Sequence, residues 1–105
     1  MKLHGIDLNS EAIRDFCRKW KIKELSVFGS ILRGDFQADS DIDFLADYEE
    51  DEEWDLFDSL QMQDELEGVL GRKVDVVDRY AIEHDGNRFI NKEILSAAEQ
   101  VFGKR

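Results

Sequence analysis

Proline is absent from this chain of 105 residues, and cysteine occurs once, as Cys17. A single cysteine cannot build a disulfide framework or a cysteine-based metal centre. No neighbour in the sequence would activate its thiol, so Cys17 is read as a core side chain. The missing proline excludes little. Basic clusters are missing as well: 14 Lys and Arg stand against 25 Asp and Glu, for a formal net charge of −11. A surface of that sign repels a phosphate backbone, which argues against direct contact with nucleic acid. A nucleoside triphosphate is not excluded, because divalent cations can sit between the two, and a basic protein partner is favoured. Long apolar runs and a signal-like N-terminal stretch are also lacking, so neither a membrane span nor export is expected, and the expected location is the cytoplasm.

What is present is enough for a folded core. Hydrophobic residues make up 42% of the chain and aromatics 10%, well outside the composition of disordered segments. The length leaves room for one domain, expected to run over 1–105.

The pattern predicts alternating helices and strands. Asn9 reads as the N-cap of a first helix, with Leu8 packing on Ile13, Glu11 in the first turn, and Ile13, Phe16, Cys17 and Trp20 forming an apolar stripe. A strand is expected at 25–28, a second at 41–46 and a third at 73–77. Between the second and third, seven of the nine positions 47–55 are acidic and lead into a helix ended by Gly71. Its apolar face is expected to be Leu56, Phe57, Leu60, Leu66, Val69 and Leu70, with Trp54 packing at its start. The acidic run reads as a solvated loop or a docking surface for a basic partner. A last helix is expected over 88–102, carrying Phe89, Ile90, Ile94, Leu95, Ala98 and Phe102. The fold class is therefore α/β (α+β): a small mixed sheet of about three to four strands flanked by helices.

Chemistry concentrates around Val27-Phe28-Gly29-Ser30 and Ser40-Asp41-Ile42-Asp43. Gly29-Ser30 leaves an apolar strand and opens a short helical turn stopped by Gly34, a place where a backbone can approach a phosphate. Asp41 and Asp43 occupy alternate positions of a strand, so both point one way while Ile42 and Phe44 point into the core. Asp75 stands between Val74 and Val76 and faces away from them. If the second and third strands are neighbours, three carboxylates crowd one face, and such crowding calls for Mg²⁺ or Mn²⁺. Two acids one residue apart can bridge two metal ions, and the third can complete the shell or take a proton from an attacking hydroxyl. Arg33, one turn beyond Ser30, can reach a phosphate oxygen or pair with Asp35.

Two other motifs are close but fail. Gly29 and Gly34 have the gap of a P-loop, yet Asp35 stands where its lysine belongs. Asp39, Asp41, Asp43 and Glu50 match ligand positions of an EF-hand loop, yet Phe44 occupies the place of its glycine.

Gly29-Ser30, ten residues, then Asp41-x-Asp43, with Arg33-Gly34 between and Ser40 just before, resembles the signature of minimal nucleotidyltransferases of the polymerase-β-like superfamily. Asp75, in Arg72-Lys73-Val74-Asp75, matches that family's third carboxylate. The resemblance runs from the first strand through the third. It implies the nucleotidyltransferase fold and transfer of a nucleoside monophosphate to a hydroxyl with two metal ions. It also implies Asp41, Asp43 and Asp75 as metal-binding and catalytic residues and Gly29, Ser30 and Arg33 as nucleotide-binding. Larger members carry an acceptor-binding domain for which this length leaves no room, so the acceptor is expected on a partner protein. Within the superfamily the chain is most similar to the antitoxins of HEPN/MNT toxin–antitoxin pairs. That similarity implies ATP as donor, a tyrosine of a HEPN ribonuclease toxin as acceptor, and toxin neutralisation by added AMP. A non-catalytic antitoxin acting by coverage alone, and a transferase for a small molecule, are the alternatives. No role is assigned to His4, His84, Tyr48 or Tyr80 beyond surface or packing positions.

Overall fold

A computed structural model describes residues 2–49, 54–84 and 88–103. The chain opens with a small antiparallel hairpin, β1 (Lys2–Leu3) and β2 (Ile6–Asp7). Helix α1 (Glu11–Lys19) follows, then β3 (Ile22–Phe28), a 3₁₀ turn (Gly29–Leu32) and β4 (Ile42–Tyr48). Helix α2 (Leu56–Leu70) leads into β5 (Val74–Asp78), followed by α3 (Arg79–His84), α4 (Arg88–Ala97) and β6 (Glu99–Gly103). Among the described residues the main sheet has four strands in the order β5-β4-β3-β6. The pairs β3–β4 and β3–β6 are antiparallel. The pair β4–β5 is parallel, joined through α2, because parallel neighbours need a crossover. No helix among the described residues is long and apolar enough to cross a membrane.

Local sequence explains most of these boundaries. α1 begins at Ser10, whose Oγ accepts from the Ile13 N–H at 3.3 Å. Asn9, one residue earlier, was the expected cap; its own N–H is instead donated to Asp7 Oδ1 at 3.1 Å. α2 starts with a reciprocal capping box. The Asp58 N–H donates to Asp55 Oδ1 at 2.8 Å, and the Asp55 N–H donates to Asp58 Oδ2 at 3.1 Å. Gly71 closes it in the left-handed conformation, φ 68°, donating to Glu67 O at 2.8 Å.

The core lies between one sheet face and the pair α1/α2. Leu8, Ile13, Phe16, Cys17 and Trp20 meet Leu25 and Val27 of β3, Ile42 and Phe44 of β4, and Met62 and Leu66 of α2. Cys17 is fully buried, and burial pushes its thiol up to about 12, which fits a packing role. Trp54 packs edge-on against Trp20 with ring centroids 5.2 Å apart. The two helices are tied by Glu65, which accepts from Trp20 Nε1 at 2.6 Å and pairs with Lys19. On the other sheet face Leu45 is buried and α3 packs against β4 and β5.

Two further expectations are corrected. The last helix was to reach position 102, but α4 ends at Ala97, and Phe102 pairs with Leu25 as part of an edge strand. Hydrogen bonding to the open side of β3 outweighs the helical spacing of Ala98 and Phe102. The side chains of Phe89 and Ile90 lie outside the described residues, as do positions 50–53 of the acidic run. On α2 the buried side chains are Met62 and Leu66, while Leu56, Phe57 and Leu60 face solvent at 71%, 80% and 56% exposure. The expected face combined side chains from opposite sides of the helix.

Candidate active site

The site forms where β3 ends and β4 and β5 begin. Phe28 is extended, and the chain then turns at Gly29, φ 78°, into the 3₁₀ turn. The turn closes with the Arg33 N–H donating to Ser30 O at 2.9 Å, one residue before the expected stop at Gly34. In the ladder Phe28 lies opposite Asp43, and Asp43 lies opposite Asp75 in the parallel pair. A methyl group built on Gly29 would stand 2.5 Å from Asp43 Oδ2, so the missing side chain makes room for a carboxylate. Asp41 is exposed in the position just before β4, and its carbonyl accepts from Ser30 Oγ at 3.5 Å. Ile42 and Phe44 are fully buried and Asp43 half-buried, in keeping with the expected alternation, although Asp41 precedes the strand instead of opening it.

The electrostatics follow from this crowding. The Asp43 carboxyl is pushed above the usual aspartate range, first by partial burial, then by the negative charges of Asp75 and Asp41. Arg33 opposes the shift with its positive charge. Its guanidinium also donates to Asp35 Oδ1 at 3.3 Å in an exposed pair, the second of the two sequence readings of Arg33.

A divalent cation fits this donor set. The acids are hard oxygen donors carrying more negative charge than one arginine offsets, and Gly29 leaves a cradle beside Asp43. Among the described residues no three acidic, His or Cys side chains close on one point as a finished ligand set. Asp41, Asp43 and Asp75 are the residues that could hold the ion.

A network that the sequence reading missed supports the loop in front of Asp41. Arg72 donates from Nη2 to Ala38 O at 3.0 Å and from Nη1 to Ser40 O at 3.3 Å. Its guanidinium lies 4.7 Å from the centre of the Phe36 ring, and that ring meets His4 at 4.8 Å between centroids. His4 Nε2 in turn donates to Ile31 O in the 3₁₀ turn at 3.0 Å. The hairpin, the turn, the loop and the start of β5 are thus joined around the acids. Periodicity carries no signal for contacts between residues so far apart in sequence. Tyr48 donates to Met62 Sδ at 3.4 Å, and burial pushes its hydroxyl up to about 12. Tyr80 stacks on His84 with centroids 3.9 Å apart. A groove of about 1030 Å³ lies elsewhere, along Arg14, Lys23 and Phe102, and includes none of the six candidate residues.

Comparison with known proteins gives a consistent picture. A family model described as a nucleotidyltransferase domain matches residues 10–98. The chain is 29% identical over 82 residues to the protein adenylyltransferase MntA of Thermococcus cleftensis, covering 78% of this chain and 81% of that one. A toxin–antitoxin crystal structure with AMP-PNP superposes with a TM-score of 0.71 at 22% identity, covering 93% of this chain and 76% of that one. A tri-AMPylated HEPN toxin of Shewanella oneidensis in complex with its MNT antitoxin gives a TM-score of 0.62 at 20% identity, covering 92% and 71%. At these identities the two superpositions establish the fold.

Proposed function

From the premise that the chain belongs to the nucleotidyltransferase domain family, we propose that it transfers AMP from ATP to a tyrosine hydroxyl of a HEPN-family toxin and so neutralises it. The observation that carries this reading is the register of Asp43 on Asp75 beside Gly29. Support for the donor and acceptor comes from the neighbours, one solved with AMP-PNP and one holding a tri-AMPylated HEPN toxin. The chain is read here as one transferase unit working in the cytoplasm, its acceptor brought by the partner.

In this mechanism the acceptor oxygen attacks the α-phosphorus of ATP, the bond to the β-phosphate oxygen breaks, and pyrophosphate leaves. Two Mg²⁺ or Mn²⁺ ions, when bound, neutralise the charge that develops on the phosphates. Asp41 and Asp43 would hold them. Asp75, exposed beside Asp43, accepts the proton of the attacking hydroxyl. The backbone at Gly29 and the Ser30 hydroxyl hold the triphosphate, with Arg33 at the far end of the same turn reaching a phosphate oxygen.

The test is incubation with ATP, Mg²⁺ and a HEPN toxin from the same genome, followed by mass spectrometry. The toxin is expected to gain mass in steps of one AMP; an unmodified toxin counts against transfer. A second reading, neutralisation by coverage alone, is favoured by the exposed face of α2. Full protection of cells by Asp41→Asn, Asp43→Asn protein at native expression would select it.

A further inference from the structure

Helix α2 is apolar on two sides. Met62 and Leu66 are sealed in the core. Leu56, Phe57 and Leu60 sit on the opposite side of its first turns, exposed by 71%, 80% and 56%. Residues three and four apart on a helix are neighbours, so these three side chains form one patch. A solvent-facing helix surface is ordinarily polar, and a contiguous apolar patch there marks a contact site. The rim of the patch is acidic. Asp55 and Asp58 form the capping box beside it, and Asp64, exposed, lies one turn beyond Leu60. In the sequence the stretch 47–55 that precedes the helix carries seven acids, Asp55 among them.

We propose that Leu56, Phe57 and Leu60 are the anchors by which this chain docks on its partner protein, and that the partner offers an apolar groove edged with lysine and arginine. The charge decides the occupant. A second copy would set one acidic rim against another in a chain of net charge −11, whereas a basic rim turns the same acids into attraction. The patch supplies the buried apolar centre and the acids the polar border of an ordinary protein interface. It lies at the capped end of α2, away from Gly71 and the start of β5, and shares no residue with the candidate active site. Holding the partner and modifying it are therefore separate tasks. The proposal rests on the reading that the acceptor is a protein.

Titration calorimetry of the full chain against the HEPN toxin of its own genome tests it, with wild type, Phe57→Ser/Leu60→Ser and Asp43→Asn compared. All three side chains are solvent-facing or at the site, and unchanged thermal melting of the double variant would confirm that it folds. The patch variant is expected to bind about tenfold more weakly or worse, as for the loss of interface anchors. It should still bind Mn²⁺-ATP like wild type. Asp43→Asn should dock normally. Raising the salt to 0.5 M should weaken docking by wild type. Equal affinity of wild type and patch variant would overturn the docking proposal while leaving the transfer reading intact. No binding by the wild type would overturn both. A wild-type dimer in light scattering that the patch variant loses would make a second copy the occupant and overturn the partner assignment.

Discussion

Gly29 lies so close to Asp43 that a Cβ there would fall 2.5 Å from the carboxylate oxygen. The same residue turns the chain with φ 78°, so one glycine meets two demands. Gly29→Ala is expected to cost about 1–2 kcal/mol for the backbone alone. Because Asp43 Oδ2 is the movable end of a side chain, the clash displaces the acid more than it unfolds the domain. Binding of Mn²⁺-ATP should fall further than the melting temperature accounts for. Normal nucleotide binding in a destabilised variant would remove the link between the two residues.

Asp43→Asn separates stability from chemistry. Partial burial and the charges of Asp75 and Asp41 raise the Asp43 carboxyl above its unfolded value. The stability it contributes is thus fully present below the ordinary aspartate value and lost as pH rises through the raised one. At neutral pH the neutral amide is expected to raise the melting temperature. AMP transfer should fall more than about a hundredfold, since even groups one step removed from a metal cost 10–100-fold. A lower melting temperature at pH 7 would show that the ionised carboxylate is not a cost to the fold.

Arg72 anchors the loop before Asp41 through two carbonyls, with its guanidinium over Phe36. Arg72→Gln should destabilise by about 1.5–3 kcal/mol, the range for a hydrogen bond from a charged donor. Amide hydrogen exchange should rise at 36–42 while the core of α1 is unchanged. Arg72→Lys is expected to rescue little, since an ammonium lacks the planar fork. Uniformly faster exchange would reduce Arg72 to a general stabiliser.

Glu65 accepts from the buried Trp20 indole and pairs with Lys19, joining α1 to α2. Burial disfavours its charge, but the hydrogen bonds from Lys19 and Trp20 and the Lys19 charge prevail, holding the carboxyl below the usual range. The stability it adds is present above the ordinary glutamate value and is lost as pH falls through the lowered one. Glu65→Ala strands the indole N–H and should cost about 1–3 kcal/mol, whereas Glu65→Gln keeps an acceptor and should cost less. Equal losses in urea titrations would contradict that account.

The site was legible where local rules sufficed. Alternation placed Asp43 outside and Phe44 inside, and the same rule set Asp75 apart from Val74 and Val76. Contacts distant in sequence were not legible. On α2, Leu56 with Leu60 and Met62 with Leu66 have the same four-residue spacing, and only packing against β5 and α1 decides which pair is buried. Phe102 continues a helical spacing from Ala98, and only the open flank of β3 makes it a strand residue. Arg72 and His4 look like ordinary surface residues until the loop between Arg33 and Asp41 is folded back onto them.

Glu67 on α2 holds the start of β5 by accepting from the Val74 N–H at 3.2 Å. Phe57 lies ten residues nearer the capped end, about 15 Å away at 1.5 Å per residue. With docking at Phe57, the helix works as a ruler. An acceptor hydroxyl must lie far enough along the partner to reach Asp75, or must be handed in trans to the site of another copy. Reach, as much as side-chain chemistry, would then decide which tyrosine receives the nucleotide.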